Sequence, residues 1–171
     1  MDFEKEVKKI AQGLRGELNI KKEKYSYFDG SREPFETYTL KLKHKNNLIV
    51  VRNTIGAQAS GQVVCSLNPD IKFIDFEIDT IHHFINLFLR KQSRFKVKST
   101  NSNFKLFLQE NALKELEPLS TQVAFDPYIF SSKKSYEKLI ITKYHLAFEN
   151  SPSAIIPLFK FYQKVIDYLD Q

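Results

Sequence analysis

The sequence predicts an α+β fold: a single domain over residues 1–171, with a mainly antiparallel sheet of about five to seven strands packed by N-terminal, central and C-terminal amphipathic helices. Three observations carry that prediction. Apolar residues recur at helical spacing near both ends and once in the middle, while from Leu18 to about Ile78 the apolar period falls to two. No repeat, low-complexity linker or shift in composition divides the chain.

Taken in order, Phe3, Val7, Ile10, Ala11 and Leu14 define one helical stripe over residues 3–14, and Gly13 and Gly16 weaken its far end. Tyr25 and Tyr27 then alternate with Ser26 and Phe28 before a turn at Asp29-Gly30-Ser31. The clearest alternation sets Tyr38, Leu40, Leu42 and His44 against Thr37, Thr39, Lys41, Lys43 and Lys45, a strand with one apolar and one basic face. Lys45-Asn46-Asn47 is a tight connection into Leu48-Ile49-Val50-Val51, a β-branched run suited to a central strand. Beyond Arg52 a glycine-rich connection leads into Val63-Val64-Cys65, and a turn at Asn68-Pro69-Asp70 leads into a strand through Ile71 to Ile78. This gives four or five consecutive antiparallel strands.

Asp79 or Thr80 caps a helix whose Ile81, Phe84, Ile85, Phe88 and Leu89 share one face. Phe95-Lys96-Val97-Lys98 alternates as a short strand, and two short helical stretches come next, ending near Pro118. Val123 to Phe130 and Leu139 to Phe148 are extended. Ile155, Leu158, Phe159, Tyr162, Val165, Ile166 and Leu169 form a last helical stripe, with Pro157 confining the regular part to the residues after it.

The composition is that of a globular protein, 42% hydrophobic and 27% charged, and its apolar content leans on fifteen Phe and eight Tyr, so aromatic packing dominates the expected core. No run approaches the roughly 18 apolar residues of a membrane span, and the first residues are charged, so a cytoplasmic location is expected. The single cysteine, Cys65, excludes an intrachain disulfide and any multi-cysteine metal site. Within Val-Val-Cys-Ser-Leu it is expected to be a buried hydrophobe.

Charge is the most informative asymmetry. Arg90, Lys91, Arg94, Lys96, Lys98 and Lys105 lie in a stretch without Asp or Glu and equal the whole net charge of +6. They are the candidate anion-binding residues, for nucleic acid or an anionic membrane surface. The plainer account is that Arg90 and Lys91 serve a helix C-terminus while Lys96 and Lys98 guard an edge strand. Gly56 to Gly61 has the glycine spacing of a phosphate loop, but Gln62 and Val63 stand where Lys and Ser or Thr are required. Arg52, Gly56, Gln58, Ser60 and Gly61 are instead the candidate partner-contact loop.

Asp75, Glu77 and Asp79 alternate on one strand; with His82 nearby, Asp75, Glu77 and His82 are the weak candidates for a metal site. The structural account places Asp79 as a helix cap and the acidic stripe opposite lysines such as Lys41 and Lys43. His44 and His145 are expected to be packed, hydrogen-bonded rings, and adjacent His82 and His83 point about 100° apart on a helix, too far to chelate one ion. Serine elbows, zinc-hydrolase pairs, dinucleotide fingerprints and RNA-binding aromatic signatures do not occur. No cofactor is expected. The leading expectation is therefore a non-catalytic protein-binding or adaptor module using a sheet face or the glycine-rich connection. A polyanion binder using residues 90–105 is the first alternative, and a small metal-assisted enzyme the second.

Overall fold

A computed structural model describes residues 2–26, 28, 30, 32–56, 59–81, 94–120, 125–148 and 150–171, excepting the Ser120 side chain. Helix α1 (Phe3–Gly13) starts where the Asp2 side chain accepts a hydrogen bond from the Lys5 backbone N–H, so an N-cap meets one orphan donor of the first turn. It ends where Gly16 N donates to Ala11 O at 2.8 Å and Arg15 takes the left-handed conformation, φ 54°. The strands are β1 (Glu17–Ser26), β2 (Arg32–His44), β3 (Asn47–Ile55), β4 (Ser60–Ser66), β5 (Phe76–Thr80), β6 (Phe95–Ser99), β7 (Tyr128–Lys134) and β8 (Glu137–His145). Helices α2 (Ser102–Phe107) and α3 (Glu117–Ser120) flank a π turn and a 3-10 turn, and a 3-10 turn at Ser151–Ala154 precedes α4 (Ile155–Leu169).

The sheet is antiparallel, with eight described strands in the order β1-β2-β3-β4-β8-β7-β5-β6, so the expected α+β class and antiparallel sheet are present but the strand count of five to seven is too low. The first four strands form a meander, as their alternation requires. β5 does not sit beside β4: the β7–β8 hairpin is inserted between them, pairing Val64 with Ile141 on one side and Phe130 with Glu77 on the other. The expected long strand from Ile71 is confined to Phe76–Thr80 because Pro69 and Ile71 direct their carbonyls to the Lys138 ammonium, away from any ladder. Of the run expected to be extended from Val123, Val123 and Ala124 lie outside the described residues, and among the described ones the strand begins at Tyr128. The helix expected over Ile81 to Leu89 lies outside the described residues, apart from Ile81 itself.

One face of the sheet carries the core. Leu40, Ile49, Val51, Val63, Cys65, Ile78, Ile129 and Ile140 point to it and are buried, opposite Leu158, Phe161, Tyr162 and Val165 of α4. Rings join the layers: Phe3 of α1 meets Tyr38 at 4.9 Å, and Phe104 of α2 meets Phe76 at 5.3 Å and Tyr168 at 5.1 Å. Pro157 falls inside α4 rather than before it, in a first turn whose N–H groups have no intrahelical acceptor in any case.

Candidate functional site

The opposite face of the sheet carries no helix among the described residues, and strand alternation fixes what it presents. One cross-strand row runs Glu17, Lys41, Val50, Val64, Ile141, Phe130, Glu77, Lys98, with every neighbouring pair in register. Its centre is apolar and its ends are ionic: Lys41 meets Glu17 at 3.3 Å and Lys98 meets Glu77 at 2.9 Å. The next row, two residues along each strand, aligns Thr39, Arg52, Gln62, Lys143 and Tyr128. On the other side lie Lys43, Leu48, Ser66, Leu139 and Ser132. Leu48 and Tyr128 are 36% and 39% exposed, and Val50, Val64, Ile141, Leu139 and Phe130 are half-buried. The Lys143 ammonium stands 5.8 Å from the Phe130 ring centre, a cation held over a π face.

Toward the β6 edge the same face dips into a shallow groove of about 350 Å³, lined by Asp75, Glu77, Lys98, Thr100, Tyr128 and Phe130. The acidic stripe and the basic segment meet here. Glu77 stands opposite Lys98 and Asp79 opposite Lys96, so the stripe faces these lysines and not Lys41 and Lys43, which lie across the sheet on β2. The hydrogen bond from Lys98 to Glu77 raises the pKa of its ammonium, the sign of a partnered cation.

Among the described residues, Arg94 and Lys105 of the basic segment do not join them in one patch. Arg94 is 5% exposed and ion-paired with Asp126, and its Nε donates to Ile81 O at 3.3 Å. Lys105 sits on α2, which packs against the core face, opposite to that of Lys96 and Lys98. Arg90 and Lys91 lie outside the described residues, as do Gln58 and His82. Among the described residues no group of three or more His, Cys, Asp or Glu is placed to hold a metal, and Asp75 instead accepts from the Ser131 hydroxyl at 3.0 Å.

The glycine-rich connection separates into strand residues with distinct roles. Gly61 is buried in β4 directly opposite Tyr144, whose ring occupies the space a Cβ would need and whose hydroxyl donates to Asn53 Oδ1 at 2.7 Å. Gly56 follows β3 at φ 153°, with a Cβ site 2.8 Å from that of Phe35. Ser60 and Arg52 are exposed, and of the expected contact loop these two reach the open face.

Cys65 is fully buried, and burial pushes its thiol up to about 12, away from nucleophilic use. His44 is half-buried, with Nε2 2.8 Å from Asp167 Oδ1 and Nδ1 3.3 Å from Gln163 Nε2. His145 is exposed on the open face instead of packed, because its strand parity is that of Lys143 and not of buried Tyr144. No described helix is long and apolar enough to cross a membrane. Neither a protein-family model nor a curated protein matches the chain.

Proposed function

We propose that this protein is a non-catalytic binding module whose open sheet face receives a protein partner. The observation that supports this reading is the apolar row Val50, Val64, Ile141 and Phe130, which lies across four adjacent strands with no described element over it. A contiguous apolar patch at the centre of a sheet, bordered by polar and charged residues, has the layout of an interface core with its rim. Several chemistry-bearing groups among the described residues are committed to structure: Cys65 is buried, Arg94 is paired, and the Tyr144 and Tyr162 hydroxyls are held in core hydrogen bonds.

The reading is tested by selecting a displayed random-peptide library on the immobilised full chain. Enriched peptides should bind the wild type and lose about tenfold or more in affinity on Val64→Glu, which puts a charge at the patch centre. Circular dichroism should show that this variant keeps its fold, since Val64 is only half-buried. Peptides indifferent to Val64→Glu, or no enrichment, would refute the reading.

A further inference from the structure

We infer that the occupant of the open face is an acidic amphipathic helix of a partner protein, an assignment that rests on the sheet-face reading above. The apolar row from Val50 to Phe130 spans three inter-strand steps, β3 to β4 to β8 to β7. At about 4.8 Å per step that is roughly 14 Å, the length of about ten helical residues. A helix laid along this row covers it with one stripe at i, i+3, i+4 and i+7.

The charge beside the row is one-sided. Arg52 and Lys143 stand in the adjacent row, separated by Gln62, and among the described residues neither has a carboxylate partner. Lys43 is likewise without one and borders Leu48 on the other side. Two inter-strand steps place the Arg52 and Lys143 backbones about 10 Å apart, and acidic residues seven apart on a helix are separated by about 10.5 Å. Carboxylates at that spacing along one flank would meet both cations while the apolar stripe lies on Val50, Val64, Ile141 and Phe130. A second copy stacked face to face about a two-fold axis fits less well, because the middles of β3 and β8 carry the cations Arg52 and Lys143, with uncharged Gln62 of β4 between them, and would bring like charges together.

The test uses three probes on the full chain. One is a helical peptide with a leucine stripe and Glu residues seven apart on one flank, the second has Gln in place of each Glu, and the third is poly-uridylate RNA. Affinities are read by fluorescence anisotropy at about 50 and about 200 mM salt. The acidic peptide should bind about tenfold or more tightly than the Gln peptide, and the double variant Arg52→Gln, Lys143→Gln should remove that advantage. The control Lys9→Gln, Lys24→Gln removes the same charge from exposed sites elsewhere and should change affinity by less than about twofold.

Equal binding of the two peptides, failure of both, or an equal loss in the control would overturn the assignment, leaving the sheet-face reading to the display selection. RNA binding that displaces the peptide and depends on Arg52 and Lys143 would replace it with a polyanion site. Concentration-dependent dimerisation abolished by Val64→Glu would replace it with a second copy of this chain.

Discussion

The two faces of the sheet handle polar groups in opposite ways, although they share the same strands. On the helix-covered face the buried polar side chains of the central strands are paired: Tyr144 donates to Asn53 at 2.7 Å, and Thr142 and Tyr162 share a hydrogen bond of 2.7 Å near the Val63 and Ile140 carbonyls. Burial pushes both tyrosine hydroxyls well up, so they remain neutral hydrogen-bonding groups at any physiological pH. On the open face, one residue away along each strand, apolar side chains remain half in water and Arg52 and Lys143 stand without carboxylate partners among the described residues. Among the described residues the two faces differ in this way. The contrast is the physical basis for reading one as core and the other as interface.

Adjacent residues of β8 put the largest test on that contrast. Ile140 is fully buried and Ile141 half-buried, so their side chains enter opposite environments although their backbones are neighbours. Ile140→Ala should cost about 4 kcal/mol through lost burial and a residual cavity. Ile141→Ala should cost only about 1 kcal/mol, because its methyl groups leave water less completely. Urea unfolding of the two variants measures both; comparable losses would mean that the open face is covered in the folded chain.

The same pair of residues shows what was legible in sequence. The meander β1–β4 could be read directly, since each strand pairs with its chain neighbour and its alternation is local. The insertion of β7 and β8 beside β4 could not, because the contact between Val64 and Ile141 joins residues far apart in the chain and leaves no local signal. The apolar half of the open face did have a signal: Leu48-Ile49-Val50-Val51 and Leu139-Ile140-Ile141 are unbroken apolar runs, which in a sheet with one covered face must leave apolar side chains on the other. The basic segment shows the complementary limit of a linear reading. Its excess exists along the chain, but register sets Lys98 against Glu77 and folding buries Arg94 beside Asp126.

A smaller effect sharpens the account of the covered face. Removing the hydroxyl in Tyr144→Phe leaves Asn53 Oδ1, on a residue 1% exposed, without that donor. The expected loss is about 2 kcal/mol. Adding Asn53→Leu should recover part of it, since removing both partners leaves no orphaned acceptor; a double variant that is as unstable as the two losses summed would show that the bond is incidental.

The smallest effect lies at the rim of the covered face, where α4 meets the β2–β3 turn. Asp167 faces His44 at 2.8 Å and Lys45 at 3.0 Å, and Lys45 also meets Asp170 at 2.7 Å. Burial opposes the charged carboxylate of Asp167, but hydrogen bonds from His44 and Lys45 outweigh it, and its pKa falls below the ordinary 3.8. A carboxyl depressed in the folded state contributes stability that is present above its unfolded pKa and is lost as pH falls through the folded one. Asp167→Asn should therefore lower stability by less than about 1 kcal/mol at neutral pH, since the pair is partly exposed to solvent. That difference should begin to shrink as the pH falls to about 3.8, where the unfolded carboxyl protonates, and should vanish only below the lower folded-state pKa, where the folded wild-type carboxyl protonates as well. Thermal unfolding of the two proteins across that range tests the sign: a gap that widens in acid would place the stabilising charge on another carboxylate and not on Asp167.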